Sequence, residues 1–192
     1  FPVGNTQVCY EAKDSCGNTA ACCFNVTVGE ERPCDTKVVG CMKWELLTIT
    51  KDAQGKRTYR IRVTNLCSNK MVYTAFQLPN GIVATSPPNN SVYTAPSGRE
   101  YDVRNPNFSP FYSIRFKSND DGIASGQSDI FEYTLPPQAA PAYIHVTTRI
   151  EPKIFYSSHL TTILCPVGVT PSNRPDLDLQ QQFDFENSGN LT

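Results

Sequence analysis

Eight cysteines and two histidines are the residues best suited to chemistry in this 192-residue chain. The cysteine spacing does not suit zinc, because Cys22 and Cys23 are adjacent and no C-x-x-C occurs. His145 and His159 are too few to complete a mixed cysteine–histidine site. An even cysteine count reads instead as disulfides, which belong in an oxidising compartment outside the cytoplasm. A cysteine nucleophile needs a free thiol in electropositive surroundings, and that even count opposes it. No G-x-S-x-G elbow accompanies the histidines, and His145 falls at an outward strand position, so it reads as a surface histidine. Glu100, Asp120, Asp121 and Glu132 read as loop or wet-face acids rather than a glycosidase pair. The expectation is a protein that is not an enzyme.

Other side chains suggest binding. Asn119, Asp120, Asp121 and Asp129 offer oxygens to calcium, but the EF-hand spacing is absent and a solvated turn explains them. Asp176, Asp178 and Asp184 read the same way, so no cofactor is expected and calcium stays a weak candidate. Asn25, Asn89, Asn107 and Asn190 each begin an N-x-[ST] tripeptide, the acceptor pattern for glycans in a eukaryotic secreted protein. Phe108, Phe111 and Tyr112 lie in a proline-rich region and offer an aromatic platform for sugars. A net charge of -1 provides no basic footprint for nucleic acid. No apolar run is long enough to span a bilayer. Phe1-Pro2-Val3 lacks a basic head and an apolar stretch, so Phe1 is expected to be a processed or truncated start.

The elements that position these residues are strands. With 15 Pro and 11 Gly and no sustained helical period, the chain reads as all-β. Tyr59, Ile61 and Val63 alternate with Arg60, Arg62 and Thr64, giving one dry and one wet face. Asn65, Ser68 and Asn69 form a turn before a second strand with Val72, Thr74 and Phe76. Leu78-Pro79-Asn80-Gly81 ends that strand. The same grammar repeats downstream, so residues 41–165 are expected to hold seven to nine strands in an immunoglobulin-like β-sandwich. Ile144, Val146, Thr148 and Ile150 are expected inward. Residues 1–28 read as a hairpin with Val8, Tyr10, Cys22, Phe24 and Val26 on one apolar face, turning at 13–18. Residues 29–40 read as a linker. Residues 166–192 are polar and read as an extended tail packing on a neighbour.

Two stretches resemble known families. Phe1-Pro2-Val3-Gly4, Val8-Cys9-Tyr10, Gly17-Asn18-Thr19-Ala20 and Cys22-Cys23-Phe24-Asn25-Val26-Thr27-Val28 resemble the last two strands of a hyalin repeat, the HYR module. That resemblance implies an immunoglobulin-like β-sandwich of secreted adhesion and surface proteins, with its earlier strands supplied by an upstream segment or another molecule. The runs TYRIRVTN and FQLPNGI resemble bacterial immunoglobulin-like repeats. The combination is similar to secreted surface proteins of Bacteroidetes-type bacteria.

Strand faces suggest the bridges. Cys9 and Cys23 share the face opposite Phe24 and can meet across the hairpin. Cys16 sits at the turn and Cys22 faces inward; they pair with each other or find partners in the rest of the module. Cys41 and Cys67 lie about equally far from the Gln54 turn, which favours that pair and leaves Cys34 for Cys165. This register puts Glu45 against Val63, unless a bulge within residues 41–50 turns Trp44 and Leu46 inward. The expected role is structural or adhesive: an extracellular, cell-surface protein or filament. It would assemble with its own copies or with upstream domains through β-sheet contacts and tail docking. The alternative is a carbohydrate-binding accessory module that recognises surface glycans.

Overall fold

The computed structural model describes residues 4–28, 32–119 and 121–169. β1 (Gly4–Lys13) and β2 (Thr19–Val28) pair antiparallel, with Val8 opposite Phe24, Cys9 opposite Cys23 and Tyr10 opposite Cys22. The turn is tied by Asp14. Its carboxylate accepts hydrogen bonds from the backbone N–H of Cys16 at 2.9 Å and of Asn18 at 2.8 Å. It also accepts one from the Asn18 side-chain amide at 2.8 Å. These donors, the Asn18 side chain foremost, hold the Asp14 carboxyl below its ordinary value.

Eleven further strands build two larger sheets among the described residues. They are β3 (Asp35–Val39), β4 (Met42–Lys51), β5 (Arg57–Asn65), β6 (Met71–Gln77), β7 (Val92–Thr94) and β8 (Glu100–Asn107). There follow β9 (Ser113–Ser118), β10 (Gln127–Leu135), β11 (Tyr143–Ile150), β12 (Ile154–Thr161) and β13 (Val167–Val169). One sheet runs β10-β5-β4, and the far edge of β4 is shared by β3 and β13. The other runs β12-β11-β6-β9-β8-β7. The chain is all-β, and these sheets form a two-layer sandwich.

Alternation explains most of this. Tyr59, Ile61 and Val63 of β5 and Phe131, Tyr133 and Leu135 of β10 are buried, as are Phe76, Phe116, Ile144 and Val146 from the opposite sheet. The layers meet through rings: Phe131 lies 5.1 Å from Phe116 and 6.1 Å from Phe76, centroid to centroid. Each such buried side chain contributes about 1.5–3 kcal/mol. Trp44 crosses between layers. Its indole N–H donates to Thr148 Oγ1 at 3.0 Å, and Thr148 shares a 3.1 Å bond with Thr74.

Two segment boundaries differ from expectation. The segment 29–40, read as a linker, contains β3, which pairs with Met42–Leu46. β3 is an edge strand with Thr36, Val38 and Val39 exposed, so it lacks a dry face to betray it. The polar tail likewise begins with β13, which pairs parallel with Ile49–Lys51 of the same chain rather than with a neighbour. Residues 170–192 of that tail lie outside the described residues.

Inside β4 the ladder shifts between Leu46 and Thr48. That bulge sets Trp44 opposite Val63, Leu46 opposite Ile61 and Glu45 opposite Arg62. Glu45 then meets Arg62 at 3.6 Å and Lys43 at 2.9 Å instead of facing Val63. Disulfides join Cys9 to Cys23, Cys34 to Cys165 and Cys41 to Cys67. Cys34–Cys165 ties the entrances of β3 and β13 at the bulge, where one short edge strand gives way to the other.

Gly40 makes the β3–β4 turn at φ 57°, where a Cβ would run into the Tyr156 ring. Gly40→Ala is expected to lower stability by roughly 1–3 kcal/mol, read as a lower urea midpoint. An unchanged midpoint would show that the turn does not need glycine.

Candidate functional site

The hairpin places apolar side chains in open surroundings. Period-two alternation puts Val8, Tyr10, Cys22, Phe24 and Val26 on one face. Tyr10 remains 65% exposed and Phe24 47%, with their rings stacked at 5.8 Å. The face expected to be buried is therefore open among the described residues. Cys16 and Cys22 are both exposed and are not bonded to each other. Cys22 stands on the apolar face, and Cys16 at the turn.

Among the described residues, Asp121 and Asp129 do not converge as a calcium cage. Asp129 is buried, and its Oδ2 accepts from the Tyr101 hydroxyl and, at 3.4 Å, from Arg99. Burial first, and then Asp129, push the Tyr101 phenol well above its ordinary value. Asp121 reaches Arg99 at 3.7 Å and Lys70 at 3.7 Å. Both carboxylates thus face cations or a phenol, an arrangement that braces β8 against β10. Asp120, Asp176, Asp178 and Asp184 lie outside the described residues. Among the described residues, no three metal-ligating side chains come together.

The glycan acceptors divide. Asn25 is exposed on the face of the hairpin that carries Cys9 and Cys23. Asn89 is exposed, while its Oδ1 accepts from the Asn105 backbone at 3.0 Å. Asn107 is only 9% exposed, and its amide nitrogen donates to the Ser109 carbonyl and to Ser113 Oγ. A sugar on that nitrogen would remove one of its two N–H donors and needs room that a buried side chain lacks, so the folded chain disfavours glycosylation at Asn107. Asn190 lies outside the described residues.

The aromatic platform is not flat. Phe108 is 76% exposed but meets Tyr112 at 59° between planes, and Phe111 turns away to place its ring 4.7 Å from His145. A cleft of about 400 Å³ lies between Leu78, Pro79, Ile82, Ala139, Pro141 and Tyr143. Its lining holds no carboxylate, histidine or cysteine.

The histidines are not two separate surface residues. β11 and β12 bring His145 directly opposite His159, with His145 Nδ1 3.1 Å from His159 Nε2. Burial, and next the neighbouring His159, hold His145 below the ordinary imidazole value, while a backbone bond at Ser158 acts the other way. Hairpin arithmetic was the missed signal: both residues are equidistant from Pro152.

Residues 1–28 match the HYR domain family model. The chain thus carries an HYR fragment ahead of its β-sandwich. Among the solved structures similar to this chain is one described as an uncharacterized protein from Nocardia farcinica with an immunoglobulin-like fold. It is 15% identical, covers 59% of this chain and 80% of its own, and has a TM-score of 0.38. No curated protein matches.

The imidazole pair has a measurable consequence. A depressed folded value for His145 means that unfolding takes up a proton. The associated stability is complete above the ordinary value of 6.5 and is lost as pH falls through the depressed one. Urea midpoints from about pH 8 to 5 should fall more steeply for the native chain than for His145→Asn. Parallel profiles would show that the imidazole is not linked to folding.

Proposed function

We propose that this chain is a structural or adhesive module of an extracellular surface protein or filament. In this reading the two-sheet sandwich is the carrier and the HYR hairpin is the contact element. The carrying observation is the uncovered apolar face, Tyr10 at 65% and Phe24 at 47% exposure, on a segment that matches the HYR family. A two-stranded hairpin is marginal in water by itself. Covering this face with a second β-layer, from another domain or another copy, would bury two aromatic rings at about 1.5–3 kcal/mol each.

Three disulfides support the extracellular part of this reading, since they persist where the surroundings are oxidising. The face also carries its own reporter. Cys22 stands directly opposite Tyr10, so a covering layer would shield its thiol, whereas Cys16 at the turn would stay open. Tail docking by residues 170–192 belongs to the same proposal and is a separate contact.

Sedimentation and thiol labelling test it together. The chain should sediment above monomer mass at high concentration, with Cys22 labelling slowed and Cys16 labelling unchanged. Phe24→Ser with Tyr10→Ser should restore a monomer with both thiols reactive. A chain that stays monomeric at every concentration, and stays monomeric with its upstream and partner domains supplied, would overturn the proposal.

A further inference from the structure

The outer face of the six-stranded sheet carries a group of side chains that structural adhesion does not use. His145 and Thr147 lie on β11, and His159 and Ser157 lie opposite them on β12. His145 Nδ1 is 3.1 Å from His159 Nε2. On the other side of the same ring, His145 Nε2 is 3.3 Å from Thr147 Oγ1, which is 2.7 Å from Ser157 Oγ. The Phe111 ring packs edge-on at 4.7 Å and limits how the imidazole can turn.

We propose that His145 and His159 form a cross-strand chelate for a borderline divalent transition-metal ion, zinc being the test case. Zinc–nitrogen bonds are about 2.0–2.1 Å, so two ligands at tetrahedral or right angles stand about 2.9–3.4 Å apart. The observed 3.1 Å is a hydrogen bond between the rings whose length falls in that interval, so a metal ion would release the shared proton to solvent and take its place without moving either strand. Imidazole nitrogen suits this class of metal better than calcium or magnesium, which take oxygen.

The surroundings fit a ligand pair as well. A metal-bound histidine ordinarily donates its second ring N–H to an oxygen, which fixes the tautomer. Here Thr147 Oγ1 stands beside Nε2, and Ser157 in turn orients that hydroxyl. Thr147 is buried, so the relay is held by packing rather than by a loose surface rotamer. His145 is partly sheltered and His159 exposed, which leaves the outer side open to water as further ligands. A bound ion would pin the edge strand β12 to β11. It would also hold the β3 side of the molecule, because the backbone of Thr161 donates to Asp35 at 2.7 Å.

The chain contains 2 histidines, which makes the test clean. The whole disulfide-bonded protein is alkylated at Cys16 and Cys22, so that thiols do not compete. Zinc is then added while the side-chain imidazole signals are followed by NMR and binding by calorimetry. Both imidazoles should shift together at one equivalent, and the thermal midpoint should rise. His145→Gln and His159→Gln, each with a melting curve in chelator to show that it folds, should each lose the saturable binding and the midpoint rise. Absence of binding, a shift of one ring alone, or binding that survives either substitution would overturn the chelate.

Discussion

One irregularity in β4 carries the sandwich. Trp44 and Leu46 must point inward, and so must Ile49, yet the step from 46 to 49 is odd in a structure whose side chains alternate with period two. The bulge between Leu46 and Thr48 absorbs the extra residue. Without it, either Trp44 with its hydrogen bond to Thr148 or Ile49 against Tyr59 would leave the core. The wet face depends on it too. Only in this register does Glu45 oppose Arg62 rather than Val63. The bulge also divides the outer edge of β4, so that β3 occupies one half and β13 the other. Cys34–Cys165 spans that division and closes a sequence separation of 131 residues. Bridges that close long loops restrict the unfolded chain most.

Polar side chains do the equivalent work in the loops. Asn65 is fully buried and uses its whole amide: it donates to the carbonyls of Asn69 and Ile123 and accepts from the Cys67 backbone. It thereby fixes the turn that leads to Cys67 and the bridge with Cys41. Asn105 plays the same part, donating to Ala84 and Pro87 and accepting from Ala84. A buried amide left half-satisfied would cost stability, so each network specifies one loop path. The Arg99–Asp129–Tyr101 group links β8 to β10 through Asp129 Oδ2, while Asp129 Oδ1 and Arg99 Nε are buried without a hydrogen-bond partner. Of the carboxylates read as possible cation ligands, Asp121 and Asp129 each face Arg99.

The legible parts of the fold were those with one dry face. β5, β10 and β11 announce themselves because alternate residues are buried and most of these are apolar. β3 does not, because it lies at an edge with its side chains largely exposed, and β13 is too short to show a period. The cysteine arithmetic was readable because hairpin partners are equidistant from their turn. The same arithmetic around Pro152 places His145 against His159, but it requires the β11–β12 turn to be located first. Burial of Asn107 was not readable, since the N-x-[ST] pattern says nothing about which bonds the amide already makes. Nor were the angles among Phe108, Phe111 and Tyr112, which depend on rotamers rather than on order.

The hairpin and the sandwich use one local grammar to opposite ends. In the sandwich each dry face meets another, and aromatic rings such as Phe116 and Phe131 pack at 5.1 Å with no exposure. On the hairpin, Tyr10 and Phe24 stack on each other with nothing described above them. Cys9–Cys23 lies on the opposite side and closes the strands without covering that face. It steadies the hairpin by restricting the unfolded chain rather than by burying apolar area. A segment held in shape covalently needs less core of its own, and its Tyr10–Phe24 side is open among the described residues. That division of labour, shape from the bridge and affinity from the open face, is the physical basis for reading the hairpin as a contact element.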